Sequence, residues 1–248
     1  MMKKEIGMNP DEIFKIKIEK SSDFKFDATV VNVFDDMVVR SVPFYLEFQR
    51  MITEIARDYA KPGTSLYDLG CSTGTTMLSI NTVLDDSVKF IGVDNSLEML
   101  ESCHKNFIGM GVKRPFELLE ADLNKHVEII NASVVVLCLT LQFVRPINRA
   151  RLLQQIHELL NPGGCIILVE KVLGESTEFN RQFIKYYYDM KRRNNYDDME
   201  ISQKREALEN VLIPYKPSEN IHQLQDAGFH SCEIFFKWHN FAGFVALK

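Results

Sequence analysis

The sequence lacks cysteine pairs, long apolar runs and an excess of positive charge. Its five cysteines are scattered along 248 residues with no Cys-x-x-Cys pair, which argues against a disulfide framework and against a zinc site. The six histidines show no spacing typical of metal ligands, so we predict no metal site. No stretch approaches the ~20 apolar residues of a membrane span, and the N-terminal segment has no apolar core like that of a signal peptide. These absences favour a soluble, cytoplasmic protein that does not contact membranes.

The net negative charge also limits the kinds of partner that the protein can bind. A net charge of −5 disfavours wide, sequence-independent contact with nucleic acid, so we predict no direct binding to nucleic acid. What is present is an ordinary globular composition, with 46% hydrophobic and 25% charged residues. The length suits one large domain, and we predict a single domain over residues 1–248.

Helical periodicity dominates the first part of the chain. Residues 1–26 are charged and weakly patterned, which predicts an arm or a short helix laid on the domain. Residues 26–41 and 45–60 carry apolar side chains at helical spacing, and each stretch predicts an amphipathic helix. Residues 1–60 are therefore predicted to form a helical cover.

Strands and helices then alternate. Predicted strands cover residues 64–70, 88–94, 116–122, 132–141 and 163–172, and predicted helices cover residues 73–83, 96–111 and 147–160. This alternation predicts the α/β class with a doubly wound, parallel sheet. A long, mostly helical insertion over residues 175–212 interrupts the pattern. The pattern resumes with a helix at 218–227, and residues 231–239 and 241–248 then predict an antiparallel hairpin.

The first strand ends in a glycine-rich turn, Asp68-Leu-Gly70-Cys-Ser72-Thr-Gly74, at the place where an open α/β sheet binds its ligand. A pyrophosphate-binding loop has a glycine where this chain has Ser72. Asp68 suits a cationic group, such as an amino-acid ammonium, better than a phosphate. Asp94 ends the second strand, where an acid accepts hydrogen bonds from ribose hydroxyls. This combination resembles the pattern of methyltransferase folds that bind S-adenosylmethionine.

Segments outside that generic pattern narrow the resemblance. The segments FDATVVNVFDDMVVRSVPFY, LYDLGCSTG, GVDNS, TLQF, LNPGG and EISQKREALENV together resemble the carboxy-S-adenosylmethionine synthase family, from about Phe24 to Lys248. The resemblance implies a seven-stranded, Rossmann-like methyltransferase fold. It implies an enzyme that converts S-adenosylmethionine and prephenate to carboxy-S-adenosylmethionine and phenylpyruvate. It further implies a homodimer, with residues 175–212 as the dimer contact. The implied functional partner is a tRNA carboxymethyltransferase that moves the carboxymethyl group onto a wobble uridine.

The resemblance also implies roles for individual residues. The implied cofactor contacts are Tyr45, then Gly70, Cys71 and Ser72 in the glycine turn, Asp94 and Asn95 at the ribose and adenine, and Asp122 and Leu123 beside the adenine. Arg205 is implied to bind the new carboxylate from the neighbouring subunit, as a planar guanidinium can with two parallel hydrogen bonds. Alternatively, Arg205 is a solvated helix residue paired with Glu209. Tyr45 is alternatively a core residue with its hydroxyl at the rim.

Cys138 departs from the family, which has an asparagine at that position of the V-L-N-x-T-L-Q-F context. We include Cys138 among the predicted cofactor contacts. A thiol is a weaker hydrogen-bond donor than an amide, so the change either weakens carboxylate positioning or marks a paralogue with altered chemistry. Alternatively, Cys138 is a small buried hydrophobe, which is common for a free cysteine.

Three further features lie in the predicted insertion. The tyrosines at 186–188 indicate packing or a dimer contact rather than chemistry. Lys191, Arg192 and Arg193 indicate a solvated basic face, or alternatively a surface that attracts an anionic substrate such as prephenate. The second asparagine of KRRNNY, Asn195, stands where the family has a glycine and predicts a turn with a left-handed residue.

Three other functions fit parts of the sequence. The first is an ordinary S-adenosylmethionine-dependent methyltransferase acting on a small molecule or RNA, which Cys138 favours. The second is a cofactor-binding partner of a tRNA-modifying enzyme, without turnover of its own. The third is a dinucleotide-dependent oxidoreductase, although the glycine spacing is wrong for one. No side chain in the sequence stands out as a general base.

Overall fold

The computed structural model describes residues 9–16 and 23–248 and shows one seven-stranded sheet with helices on both faces. The strands are β1 (Ser65–Leu69), β2 (Lys89–Asp94), β3 (Phe116–Glu120), β4 (Ala132–Cys138), β5 (Leu160–Lys171), β6 (His230–Trp238) and β7 (Phe241–Leu247). Their order across the sheet is β3-β2-β1-β4-β5-β7-β6. The pairs among β1 to β5 are parallel, whereas β7 pairs antiparallel with both β5 and β6. The strand order reverses between β1 and β4, which is where a doubly wound sheet binds its ligand.

Helices cover the sheet and its ligand-binding edge. They are α1 (Ala28–Val31), α2 (Phe34–Ser41), α3 (Tyr45–Tyr59), α4 (Thr75–Asn81), α5 (Leu97–Gly109), α6 (Pro146–Leu159), α7 (Thr177–Arg193), α8 (Asp198–Leu208) and α9 (Pro217–Asp226). Two cores result, one on each face of the sheet. Along β4, Val134 and Val136 pack into one core while Val135 and Leu137 pack into the other. This alternation explains why β4 reads as a continuous apolar run, since both of its faces are covered.

The predicted α/β class, the doubly wound order of seven strands and the terminal hairpin are confirmed. The single helix predicted over 26–41 is wrong, because the chain forms α1 and then α2. Asp27 caps α1 by accepting hydrogen bonds from the backbone N–H groups of Thr29 and Val30. The N-terminal prediction for residues 1–26 lies partly outside the described residues. Its described parts, 9–16 and 23–26, contain no helix or strand.

The end of β4 also differs from the prediction. The strand predicted over 132–141 ends at Cys138, because Leu139 has a left-handed φ of 60° and residues Leu141–Phe143 form a 3-10 turn. The insertion is mostly helical, as predicted, and consists of two helices, α7 and α8. The chain between them turns at Asn195, whose φ is 64°, so the predicted left-handed asparagine is confirmed.

Candidate functional site

The glycine turn joins β1 to α4 and lies against Thr140, just beyond the C-terminal end of β4. Gly70 has a φ of 83°, and a Cβ added there would lie 2.4 Å from Oγ1 of Thr140. The position therefore requires glycine both for its backbone conformation and for its space. Ser72 also adopts a left-handed φ, of 47°, and its N–H donates to Oδ2 of Asp94 at 2.9 Å. That hydrogen bond helps to hold a non-glycine residue in a conformation that usually favours glycine.

Asp94 ends β2 and ties the turn to the neighbouring strand. Its other carboxylate oxygen accepts a hydrogen bond from the N–H of Ser96 at 3.0 Å. The side chain is buried, and this burial raises the pKa of Asp94, while backbone N–H groups of Ser72 and Ser96 act in the opposite direction. Each carboxylate oxygen can accept more than one hydrogen bond, so Asp94 can still accept hydrogen bonds from a ligand.

Asp122 and Leu123 follow β3 and form the next part of the same edge. Asp122 accepts hydrogen bonds from the backbone N–H of Asn124 at 2.9 Å and from its side-chain amide at 3.0 Å. The backbone N–H of Asn124 is the main reason that the pKa of Asp122 lies below its usual range. Leu123 is 8% exposed and presents an apolar surface. A carboxylate beside an apolar side chain suits a nucleobase, because a nucleobase has polar edges and flat, apolar ring faces.

A cavity of about 560 Å³ runs along this edge of the sheet, a size that suits a nucleoside and more. Nine of the predicted site residues line it: Tyr45, Gly70, Cys71, Ser72, Asp94, Asn95, Asp122, Leu123 and Cys138. We call the part around Gly70, Asp94 and Asp122 the nucleoside end. Two predicted site residues, Asp68 and Arg205, are not among those that line the cavity within one chain.

Asp68 lies behind the glycine turn with 1% of its surface exposed. Neither of its carboxylate oxygens has a hydrogen-bond partner among the described residues. Burial, with a smaller contribution from Asp94, raises the pKa of Asp68 to about 7. A buried carboxyl group without a partner is costly, and a cation bound nearby would compensate it. A cation held at the glycine turn would therefore favour the ionised form of Asp68, although Asp68 itself does not line the cavity.

Cys138 lies at the end of β4 among polar side chains from α3 and α4. The amide of Gln49 donates to Oγ1 of Thr76 at 3.1 Å and approaches Sγ of Cys138 at 3.7 Å. Burial raises the pKa of the Cys138 thiol well above its usual range, which disfavours the nucleophilic thiolate form. Tyr45 is 8% exposed yet lines the cavity, so its ring is part of the core and of the site at once.

Three lysines line the other end of the cavity, and the sequence prediction missed them as a group. We call the part formed by Lys171, Lys191 and Lys204 the lysine end. Lys191 is 5% exposed, so its assignment to a solvated basic face is wrong, although Arg192 and Arg193 are exposed as predicted. The lysine lies on the inner side of α7, where the helix packs on the domain. The sequence does not show which of three adjacent basic residues is buried. That follows only from how α7 packs on the domain.

Lys204 occupies a buried hydrogen-bond network at the edge of the lysine end. Its Nζ lies 3.4 Å from Oδ2 of Asp11 and donates to Oγ of Ser41 at 3.1 Å. The hydroxyl of Tyr196 donates to the same oxygen of Asp11 at 2.6 Å. This network joins the described N-terminal residues to α8, so the segment 9–16 contributes to the wall beside the cavity.

Arg205, one residue further along α8, is exposed and has no hydrogen-bond or ion-pair partner within residues 9–16 and 23–248. Arg205 is thus a solvated helix residue, as that alternative holds, but it forms no ion pair with Glu209. Elsewhere in the insertion, Tyr187 packs against Phe241 at 5.5 Å between ring centres, so the predicted packing role is confirmed for this tyrosine.

The described residues include no group of three or more His, Cys, Asp or Glu side chains that could hold a metal ion. Within the same ranges, no helix has the length and apolar character needed to cross a membrane.

The geometry and the comparisons with known proteins agree on a class. A family model described as a methyltransferase domain matches residues 66–164. The fold resembles the crystal structure of an S-adenosylmethionine-dependent methyltransferase from Aquifex aeolicus, with a TM-score of 0.60 at 15% identity, covering 90% of this chain and 99% of that one. It also resembles an O-methyltransferase family protein from Burkholderia thailandensis, with a TM-score of 0.66 at 13% identity, covering 90% of this chain and 60% of that one. The fold is that of the S-adenosylmethionine-dependent methyltransferases.

Sequence relatives narrow the class to a family. The chain is 52% identical to the carboxy-S-adenosyl-L-methionine synthase of Methylococcus capsulatus, over 97% of this chain and 100% of that protein. It is 43% identical to the synthase of the same name from Aliivibrio fischeri, over 97% of this chain and 99% of that protein. The chain therefore belongs to the carboxy-S-adenosyl-L-methionine synthase family. It is a transferase that binds S-adenosylmethionine, as predicted.

Proposed function

We propose that this enzyme converts S-adenosylmethionine and prephenate to carboxy-S-adenosylmethionine and phenylpyruvate. Overall, prephenate loses its ring carboxyl group and its hydroxyl as the ring becomes aromatic. The carboxyl carbon forms a new bond to the methyl carbon of S-adenosylmethionine, and the displaced proton leaves with the hydroxide as water. The observation that carries the proposal is one continuous cavity with a nucleoside end and a lysine end. An ordinary methyl transfer requires no such basic end, whereas an anionic second substrate does.

The residues at the nucleoside end have distinct roles in this proposal. Bound S-adenosylmethionine supplies an acidified methyl group on its sulfonium. Asp94 accepts hydrogen bonds from the ribose hydroxyls, and the orphaned carboxyl of Asp68 attracts the ammonium group. Asp122 and Leu123 position the adenine by polar and apolar contact. We assign no general base, because prephenate itself releases hydroxide. The contribution of the protein is proximity of the two substrates and exclusion of water.

The direct test is an assay of the purified protein with both substrates. Mass spectrometry should detect a nucleoside heavier than S-adenosylmethionine by one carboxyl group, together with phenylpyruvate in equal amount. Omitting prephenate provides the matched control. Prephenate left intact, with no carboxylated nucleoside formed, would overturn the proposal.

A second candidate function is an ordinary methyltransferase, and the observation that favours it is Cys138. A thiol that approaches the Gln49 amide at 3.7 Å replaces an asparagine whose amide could bind a carboxylate. Under this alternative, S-adenosylhomocysteine forms only when a methyl acceptor is supplied. Parallel assays with prephenate and with candidate methyl acceptors separate the two functions, because the first yields carboxy-S-adenosylmethionine and the second yields S-adenosylhomocysteine.

We further propose that the active form is a homodimer in which Arg205 enters the cavity of the neighbouring subunit. Three facts support this arrangement: Arg205 is exposed, has no partner within the described part of its own chain, and does not line its own cavity. The insertion also exposes apolar side chains, with Phe179 58% and Ile184 36% exposed on α7 and Met199 37% exposed on α8. Such a surface is suited to burial against a second copy.

The dimer proposal has a complementation test. Arg205→Ala and Asp94→Ala should each be inactive alone, because each removes one necessary contact. Mixed dimers should regain about a quarter of the wild-type activity, since half of the dimers formed at random contain one complete site. Lys105→Ala, a change at an exposed position of α5 outside the insertion, is the control and should match wild type. No recovery after mixing, with dimers confirmed by light scattering, would show that Arg205 does not act across the interface.

The proposal extends to a biological partner. The product would be consumed by a tRNA carboxymethyltransferase that transfers the carboxymethyl group to a wobble uridine. The net charge of −5 supports release of a small-molecule product rather than direct contact with tRNA. Loss of 5-oxyacetic acid uridine from tRNA after deletion of the gene would test this step. Unchanged tRNA modification in the deletion strain would overturn it.

A further inference from the structure

The lysine end contains two ammonium groups that have no acid of their own. Lys171 ends β5, Lys191 lies on α7, and the Nζ atoms of both are 5.0 Å from the centre of the Tyr187 ring. Neither Nζ has a hydrogen bond or ion pair to any residue in the described part of the chain. Contact with an aromatic face compensates only part of the cost of burying a cation. An anion is therefore the missing component of this cluster.

The acids near the two lysines are already engaged. Asp11, whose charge favours the cationic form of Lys191, is bonded to Lys204 and Tyr196. Glu170 precedes Lys171 but lies on the opposite face of β5, where it accepts hydrogen bonds from the N–H groups of Leu141 and Gln142 at 2.9 and 2.8 Å. Neither acid is available to the Lys171 and Lys191 ammonium groups.

The pKa values of Lys171 and Lys191 also reflect the lack of an anionic partner. Burial lowers the pKa of Lys171 to about 8. Burial also lowers the pKa of Lys191, and the charges of Lys204 and Lys171 lower it further. A bound carboxylate would raise both pKa values towards their usual range.

The location of the cluster relates it to the reacting centre. Cys138, at the end of β4, pairs with Val169 of β5, and Lys171 lies two residues further along on the same face of that strand. Two strand residues span about 6.6 Å, which is comparable to the length of a substituted six-membered ring. The rings of Tyr187 and Phe241, 5.5 Å apart and both on the cavity wall, add apolar surface beside the lysines. The cluster thus combines positive charge with faces that suit a ring.

We propose that Lys171 and Lys191, grouped around Tyr187, bind a carboxylate of a ring-bearing dicarboxylic acid that is the second substrate. This inference rests on the proposed function, in which that acid is prephenate. Binding one carboxylate here would leave the rest of the molecule extending towards Cys138 and the nucleoside end.

The test compares neutral variants with a matched lysine control outside the insertion. Lys191→Met and Lys171→Met should each raise the KM for prephenate roughly 10- to 100-fold, because each removes a charge-assisted contact. Affinity for S-adenosylhomocysteine, measured by calorimetry, should stay within about twofold of wild type, because the nucleoside end is built on β1, β2 and β3, none of which pairs with β5. Lys105→Met, at an exposed position of α5 outside the insertion, should leave both quantities unchanged. Lys191→Arg should recover part of the affinity for prephenate.

Binding of isophthalate, an aromatic dicarboxylate that cannot undergo the reaction, separates this inference from the proposed function. If wild type makes no carboxylated product but binds isophthalate, and both lysine variants lose that binding, the proposed subsite is supported and the proposed reaction is overturned. If carboxylated product forms with an unchanged prephenate KM in both variants, the subsite is overturned and the reaction stands. Retained S-adenosylhomocysteine binding shows that a variant is folded. If Lys191→Met does not fold, Lys171→Met decides the outcome alone.

Discussion

The two ends of the cavity are built in different ways. The nucleoside end uses side chains at the ends of β1, β2 and β3, from one continuous part of the chain, and its charged groups are acids such as Asp94 and Asp122. The lysine end combines β5 with α7 and α8, and its charged groups are cations. The first end depends on local strand-to-helix turns, whereas the second exists only because the insertion packs back on the domain.

Under the proposed function, this difference explains how one fold gains a site for a second substrate. The sheet and its turns supply the cofactor site that methyltransferase folds share. The insertion supplies charge of the opposite sign at a fixed distance from that site. Changes at one end should therefore leave binding at the other end intact, and the predictions below test that independence.

The largest effect is expected from Asp94→Ala at the nucleoside end. This change removes the proposed ribose acceptor and leaves the N–H groups of Ser72 and Ser96 without their Asp94 partner. We expect the affinity for S-adenosylmethionine to fall roughly 100-fold or more, because hydrogen bonds to a charged group are lost. Isothermal titration checks this, and isophthalate binding should persist. Equal loss of both ligands would show that the two ends are not independent.

Gly70→Ala should have the next largest effect. The new methyl group would lie 2.4 Å from Oγ1 of Thr140, at a φ of 83° that L-residues disfavour. We expect the free energy of unfolding to fall by about 2–4 kcal/mol, with weaker cofactor binding. Gly109→Ala is the matched control, because nothing lies within 4 Å of its added Cβ. Urea denaturation of both variants is the measurement, and similar stabilities for the two would contradict this explanation of the turn.

Asp68→Asn should change the pH dependence of stability. Burial raises the pKa of Asp68 in the folded state to about 7 from 3.8, so the folded protein binds a proton that the unfolded chain releases between these values. The stability contributed by this group is thus present at low pH and is lost as the pH rises through 7. Between pH 5 and pH 8, the advantage of Asp68→Asn over wild type should grow by about 2 kcal/mol. Urea denaturation of ligand-free protein at both pH values checks this, and parallel pH profiles would refute it.

The smallest effect is expected from Cys138→Asn. The new amide would lie beside Gln49 and Thr76 and could donate to a carboxylate on the transferred carbon. We expect the affinity for carboxy-S-adenosylmethionine to rise about 3- to 10-fold, the usual gain from one hydrogen bond. Cys138→Ser, which removes the thiol without adding an amide, is the control. Competition binding provides the measurement, and a loss of affinity in Cys138→Asn would mean that the thiol is the better fit.

Much of the nucleoside end is predictable from the sequence because its geometry is local. A strand, a glycine turn and an acid at the next strand end place Gly70, Ser72 and Asp94 together wherever the sheet forms. The sequence pattern also predicts the sheet, although it extends β4 past Cys138. There, the left-handed Leu139 ends the strand inside an apolar run that gives no sign of the turn.

The lysine end is not predictable in this way. Lys191 and Arg192 are adjacent in a basic run, yet one is buried against Tyr187 while the other forms ion pairs with Asp189 and Asp198. Which face of α7 turns inward depends on contacts with β5 and β7 that are distant in sequence. The same limit applies to Asp11, whose link to Lys204 spans most of the chain.

The most direct test follows the carboxyl carbon. Wild-type enzyme would be incubated with S-adenosylmethionine and prephenate that carries carbon-13 in its ring carboxylate, and the nucleoside product would be examined by mass spectrometry. Our account predicts a carboxylated nucleoside that carries the label, together with unlabelled phenylpyruvate. An unlabelled nucleoside, or labelled prephenate recovered intact, would contradict the claim that one cavity unites the two substrates.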